Sequence, residues 1–363
     1  MAAANIAMRV DASAQLGTGH LMRCLTLADA LHERGARLRF ICGPLPATQA
    51  HLVQDRGYEL ASLPAEASST ETLDAAGSAS ALAGERWDWI VVDRYALGAA
   101  WEGAMRRHAA RILVIDDLAD RDHDCDLLLD QNYLPEGEAR YRGRVPAGCR
   151  LLIGPWFALL RPEYRQYRDR LVTRPQRVVR LLVFFGGTDP QGMTEMALDA
   201  VSSPELDGLL VDVVYAGEAT RRSRIEARAA LRPGTTVHGP RPHLADLMAQ
   251  ADLSLGGGGA TSWERMCLGL PSLVITLADN QRAVAAWLQA QGLARVVGDA
   301  ATVTIADIRS ALIDDVRREG PNPAVAEAMR LCDGRGTGRV ADAMMAASSD
   351  AVSLGSRKAS DVF

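Results

Sequence analysis

Short, continuous apolar runs alternate with amphipathic stretches along most of the chain. In the first half the runs are Ile6–Val10, Leu38–Cys42, Trp89–Val92, Ile112–Ile115 and Leu127–Leu129, with Leu151–Ile153 a shorter one. Apolar character that is continuous rather than alternating predicts parallel strands buried on both faces. After the first run, Leu21, Leu25, Ala28 and Leu31 recur with the helical period, and Gly35 ends that helix. The stretch Ala65–Gly84 is rich in Ala, Ser, Thr and Glu and is expected to include a helix. Tyr164–Gln176 is strongly charged, with Pro175 near its end, and reads as a helix and linker leading out of a first domain. The pattern then restarts. Strands are predicted at Arg180–Phe185, Leu209–Tyr215, Thr235–His238, Leu253–Leu255, Leu273–Leu277 and Ala294–Val297. Helices are predicted near Thr188–Val201, Ala219–Leu231, Leu244–Ala249, Thr261–Leu268 and Ala306–Arg318, with Ala324–Leu331 and Gly338–Ala347 closing the series. Two βαβ series of similar size predict an α/β protein of two doubly wound domains facing each other across a cleft, at residues 1–165 and 176–347. The polar, aperiodic residues 348–363 are expected to be a disordered tail.

Composition narrows the partners. The chain has 363 residues and a net charge of −5, so no basic surface for nucleic acid is implied. No window approaches the ~18 apolar residues of a membrane span. The start, MAAANIAM, reads as the approach to a first strand and not as an export signal. The six cysteines are scattered without a CxxC pair, and Cys24 and Cys267 fall on apolar helical faces. That usage suits reduced thiols in a cytoplasmic protein.

Three glycine-rich places fall at predicted strand ends, where ligands bind in open α/β sheets. In the first, Gly17-Thr18-Gly19-His20, the glycines make a strand-to-helix turn and His20 stands in the first helical turn. A helix N-terminus favours anions and disfavours an imidazolium, leaving a neutral histidine suited to general-base work. The plainer reading is a packing turn with a surface histidine. Asp11 ends the first strand, near enough to orient His20 or, as readily, to fix the turn backbone. The second place is Gly186-Gly187-Thr188-Asp189-Pro190, where Thr188 can cap a helix with Pro190 in its first turn.

The third is Gly256–Gly259, followed by Thr261, Ser262 and Glu264. Thr261 and Glu264 have capping-box spacing, and by spacing alone that reading leads over a carboxylate binding the two hydroxyls of a ribose. Asn280 and Gln281 carry amides at the next strand end, or simply open a polar helix. Neither a Walker pattern nor a full GxGxxG is present, which argues against an ATPase or a nicotinamide enzyme. The acidic run Asp116–Asp126, with His123 and Cys125, fits no standard zinc or calcium spacing, and Asp120–Asp124 reads as a turn between two strands.

Five segments together resemble a known family. They are RVDASAQLGTGHLMRCLTLADAL, DDLADRDHDCDLLLDQNY, GPWFALLRPEY, FFGGTDPQGMT and GGGGATSWERMCLGLPSLVITLADNQ, spread in order from Arg9 to Gln281. They resemble the UDP-sugar hydrolase of the pseudaminic acid pathway. The last segment is also similar to the donor-binding block of the UDP-N-acetylglucosamine transferase that builds the lipid-linked peptidoglycan precursor. The resemblance implies a GT-B architecture, two Rossmann-like domains with the nucleotide held mainly by the second. It implies metal-independent hydrolysis, without a cofactor, of a UDP-2,4-diacetamido-2,4,6-trideoxy sugar, with inversion at the anomeric carbon, by a monomer. By position it implies His20 as the catalytic histidine and Glu264 as the ribose-binding acid. Arg161 and Asn280 would contact substrate, Tyr95 would lie near the sugar, and Gly187 and Thr188 would face the diphosphate. Gly17, Gly19, Ser262 and Gln281 complete the expected binding set. Two alternatives stay open: a GT-B glycosyltransferase using a UDP-N-acetylated donor, and a nucleotide-sugar binding subunit without catalysis.

Overall fold

A computed structural model describes residues 3–11, 19–171, 177–318, 320 and 322–358, with side chains as far as residue 347. Among the described residues thirteen strands form two sheets, all but one of them at a stretch predicted as a strand from the sequence. The first sheet contains β1 (Asn5–Val10), β2 (Arg37–Cys42), β3 (Glu59–Ser62), β4 (Trp87–Asp93), β5 (Ala109–Ile115), β6 (Leu127–Asp130) and β7 (Arg150–Ile153), in the order β3-β2-β1-β4-β5-β6-β7. Every pairing is parallel. β1 is buried from Ile6 to Val10, as its unbroken apolar run predicts. The helix Gly19–His32 buries Leu21, Leu25, Ala28 and Leu31 against this sheet. The second sheet contains β8 (Arg180–Phe184), β9 (Leu210–Val214), β10 (Thr235–His238), β11 (Leu253–Gly257), β12 (Ser272–Thr276) and β13 (Arg295–Asp299), in the order β10-β9-β8-β11-β12-β13, again all parallel.

In each sheet the strand order reverses once, between β1 and β4 and between β8 and β11. Loops leaving neighbouring strands diverge there, which opens a crevice at the carboxyl ends. The two switch points therefore lie beside the start of the helix Gly19–His32 and beside the second and third glycine places.

Several boundaries differ from expectation. β3 was not predicted: ELAS has no apolar run, because an edge strand buries little. The helices Ala47–Gln54 and Ala99–Met105 are additional to those expected, and the helix Asp279–Ala290 follows the plainer reading of Asn280 and Gln281 as a polar helix start. The helix expected from Thr188 begins instead at Met193, after Gly192 in a left-handed conformation. The chain divides into two compact units, and neither is continuous. The first holds residues 1–132, 136–159 and 335–363, and the second holds 133–135 and 160–334. The expected boundaries at 165 and 347 are thus corrected. The helix Pro162–Arg170 belongs to the second unit because its Tyr164 is buried there and Arg168 donates to the carbonyls of Cys267 and Cys332. The helix Gly336–Lys358 belongs to the first, where Val340, Ala341 and Met344 join the core of the helix Gly19–His32. It continues through 348–358, where disorder was expected, since a helix seeded on a core extends more readily than a new one nucleates. Residues 359–363 lie outside the described residues, as does the predicted linker at 172–176. Among the described residues no helix is long and apolar enough to cross a membrane.

Candidate functional site

In the first unit the switch point gathers charged groups around one histidine. Gly19 is the first residue of its helix and His20 the second, while Gly17 lies outside the described residues. His20 Nδ1 is 2.7 Å from Asp93 Oδ1, at the end of β4. Arg23, one helical turn on, donates to both oxygens of Asp93 at 2.6 Å. The Asp93 carboxylate can only accept, so its 2.7 Å contact favours the His20 proton on Nδ1 over the longer approach of Arg23 Nη2, a donor 3.1 Å from the same nitrogen. In that tautomer Nε2 carries the lone pair. Burial pushes the Asp93 carboxyl up, but Arg23 and His20 outweigh it and hold the group well below the usual carboxylate range.

Tyr95 meets His20 edge to face, with ring centroids 4.9 Å apart. Its hydroxyl bonds to Asp117, and burial together with that carboxylate raises the phenol well above its ordinary range. Arg23 Nη1 reaches Asp117 Oδ2 at 3.3 Å, so one arginine ties both acids.

Asp11, expected to orient His20, does not do so. It accepts from Arg9, from the Gly43 N–H at 2.7 Å and from Arg94 at 2.9 Å. Arg9 and Asp74 are fully buried beside it, and Trp101 Nε1 donates to Asp74 at 2.9 Å. Asp11 thus belongs to a charged scaffold with Arg9, Asp74 and Arg94 at the carboxyl end of β1. Asp116, Asp124 and Asp126 of the 116–126 run are likewise held in ion pairs, while Asp120 and Asp122 stay largely exposed. Arg121 pairs with Asp116 at 2.9 Å, Arg106 binds Asp124 and Asp126, and buried His123 bonds Glu102 at 2.7 Å. The Sγ atoms of Cys125 and Cys149 lie 3.6 Å apart, a pairing that linear spacing did not signal.

In the second unit two glycine loops flank the switch point between β8 and β11. Thr188 is exposed and caps no helix. The cap position is Gly192, and the first helical N–H groups are satisfied by the Asp189 carboxylate, which accepts from Met193 N–H at 3.1 Å and Thr194 N–H at 2.7 Å. Asp189 takes a left-handed φ of 38°, a conformation Asp tolerates better than most residues. Gly187 is half-buried, its carbonyl accepting from Ala216 at 2.8 Å. In the second loop Gly256 and Gly257 lie inside β11. A Cβ on Gly256 would come within 2.3 Å of the Phe184 carbonyl oxygen, so this glycine serves strand packing rather than ligand approach. Gln281 Oε1 accepts from Gly258 N–H at 3.1 Å and Leu277 N–H at 3.0 Å, pinning the loop to the end of β12. Ser262 is buried and accepts from Arg265 Nη2 at 3.0 Å, and the same nitrogen donates to the Gly257 carbonyl at 2.7 Å. Asn280 is exposed at the start of the helix Asp279–Ala290.

Glu264 makes no capping box. The cap position is Ala260, without a side-chain bond, and Thr261 already lies inside the helix. The Glu264 carboxyl accepts instead from the hydroxyl of Tyr164, and Arg161 and Arg265 stand near enough to act on its charge. Part of its surface stays exposed, yet desolvation pushes the carboxyl up to about 7 against the lowering effect of these neighbours. Arg161, assigned to the first domain by sequence, opens the helix Pro162–Arg170 of the second unit and pairs with Glu163 at 3.0 Å. Sequence reasoning missed Asp93, Arg23, Asp117 and Tyr164. The available signals were an acid closing the apolar run Trp89–Val92 and an arginine three residues after His20 on the same helical face.

Two Rossmann-like units with these strand orders make a GT-B fold, and solved glycosyltransferases share it. MurG of Acinetobacter baumannii superposes with a TM-score of 0.65 at 15% identity, over 94% of this chain and 99% of that one. No family model matches the chain. By sequence it is similar to the UDP-2,4-diacetamido-2,4,6-trideoxy-beta-L-altropyranose hydrolase of Campylobacter jejuni, 23% identical over 288 residues, which is 79% of this chain and 97% of that protein. It is also similar to the spore coat polysaccharide biosynthesis protein SpsG of Bacillus subtilis, 27% identical over 163 residues. That match covers 45% of this chain and about half (48%) of SpsG.

Proposed function

We propose that this protein hydrolyses a UDP-2,4-diacetamido-2,4,6-trideoxy sugar to the free sugar and UDP, without a metal. The observation that carries the reading is the His20–Asp93 bond of 2.7 Å, which commits Nδ1 and leaves Nε2 as the base. His20 Nε2 takes a proton from water. The water oxygen bonds to the anomeric carbon as the bond to the β-phosphate oxygen breaks, and configuration inverts. UDP leaves as a stabilised anion and needs little protonation, so one base suffices where a glycosidase uses two carboxyl groups. Asp93 is the positioning acid, in place of Asp11. Tyr95 and Arg161 are assigned to the sugar, with Gly17 and Gly19 as further substrate contacts. The second unit holds the nucleotide, Glu264 accepting from the ribose hydroxyls, Gly187 and Thr188 facing the diphosphate and Asn280 contacting substrate. We assign Ser262 and Gln281 to holding the glycine loop in shape. The likeness to the Campylobacter hydrolase along nearly its whole length supports this reaction over others.

The fold shared with glycosyltransferases favours a second reading, transfer of the sugar to an acceptor. Incubation with UDP-2,4-diacetamido sugars and no acceptor, followed by proton NMR, separates the two. Fast release of UDP with an inverted free sugar supports hydrolysis. Turnover that appears only with an added acceptor overturns it, and UDP binding without turnover points to a non-catalytic subunit.

A further inference from the structure

Tyr164 is the largest polar side chain at the nucleotide site to which the reaction gives no role. Its ring is buried, with 1% of its surface exposed. The Leu244 N–H, in the segment after β10, donates to the phenol oxygen at 3.3 Å. That bond occupies the oxygen as an acceptor and leaves the phenol proton for its other neighbour, the Glu264 carboxyl. One hydroxyl therefore joins the helix Pro162–Arg170, the loop after β10 and the helix that follows the glycine run. Burial also keeps the phenol protonated, its own titration lying well above the ordinary range.

We propose that Tyr164 is a positioning residue for nucleotide binding: its hydroxyl holds the Glu264 carboxylate in place, so that the carboxylate can accept from the ribose hydroxyls of a uridine nucleotide. This rests on the assignment of Glu264 to the ribose. The groups that face the Glu264 carboxyl are Tyr164, Arg265 and Arg161. Two of them are cations at any working pH, so Tyr164 is the one neutral donor whose loss changes the carboxyl's charge balance without adding a new charge.

The test is UDP binding to the full-length protein by calorimetry across pH 5 to 9, for wild type, Tyr164→Phe and Glu264→Gln. Wild type should bind more tightly as pH rises through neutrality and release a proton on binding there. Tyr164→Phe removes a hydrogen bond to a charged group. Affinity at neutral pH should fall about tenfold, and the midpoint of the pH dependence should move up by about one unit. Glu264→Gln should bind weakly, with no midpoint of its own. Incorporation of 3-fluorotyrosine at position 164 keeps the ring and strengthens the donor, so it tests the same bond should the phenylalanine variant not fold. Its midpoint should move down. A wild-type midpoint in Tyr164→Phe, or in the fluorinated protein when Phe does not fold, overturns the proposal even if affinity drops uniformly. Wild-type affinity in Glu264→Gln would instead overturn the ribose assignment beneath it.

Discussion

Replacing Glu264 with Gln should make the stability of this protein less dependent on pH. The side chain titrates at about 7 in the folded state against an ordinary value of 4.5, because burial penalises the charged form more than Tyr164, Arg265 and Arg161 favour it. The folded protein thus holds this proton more tightly than the unfolded chain. The stabilisation is fully present below about pH 4.5 and is lost as pH rises through 7. A gap of about 2.5 units at about 1.4 kcal/mol each sets a ceiling of about 3 kcal/mol. Partial exposure of the residue lowers the expected effect to about 1–3 kcal/mol. Glutamine keeps an acceptor for the Tyr164 hydroxyl and never ionises. Its melting temperature relative to wild type should therefore rise between pH 5 and pH 8, by roughly 2–10 °C for a unit of this size. Scanning calorimetry of both proteins at the two pH values reads this directly. The substitution should also weaken UDP binding at pH 8, since an amide offers one acceptor oxygen where a carboxylate offers two. Equal differences in melting temperature at both pH values would refute the argument and return Glu264 to a solvated, helix-opening role.

His20→Ala should abolish turnover by about 10²–10⁴-fold while UDP binds as before, because the nucleotide contacts are assigned to the second unit; wild-type kcat in this variant would remove His20 from the mechanism. Asp93→Asn should lower kcat by at least about 10²-fold with little change in KM, by favouring the wrong tautomer of His20, whereas Asp11→Asn should act on melting temperature more than on kcat. A kcat that responds to Asp11 and not to Asp93 would reverse that assignment. Incubation with EDTA should leave the rate unchanged, and loss restored by one divalent ion would contradict the metal-free scheme.

Much of the fold was legible because burial on both faces writes itself as an unbroken apolar run, as in Ile6–Val10 and Leu253–Leu255. β3 escaped because an edge strand needs no such run. His20 and Glu264 could be singled out because glycine turns at strand ends are visible in one dimension. Their partners could not. Asp93 meets His20 only because β4 lies directly beside β1, and strand order is not encoded in apolar spacing. The capping box read at Thr261 and Glu264 shows the limit of local spacing. Thr304 and Asp307 have the same offset and do form one, since their helix begins after Thr304, while the other helix begins at Thr261 itself. At Glu264 a tertiary contact with Tyr164 replaced the local one.

The return of residues 335 onward to the first unit has a consequence for biosynthesis. Val340, Ala341 and Met344 fill the core against the helix Gly19–His32, and Arg34 binds Asp342 at 2.8 Å. The domain that is translated first therefore lacks part of its interior until residues 335–347, made after the whole of the second unit, have been synthesised. The later-made domain, almost unbroken from residue 160 to 334, has all its own core residues before then. Domains usually mature in the order in which they emerge from the ribosome; here residues 335–347 complete the first unit only after the second has emerged, so premature termination near residue 335 would spare the second unit and leave the one that carries His20 unfinished.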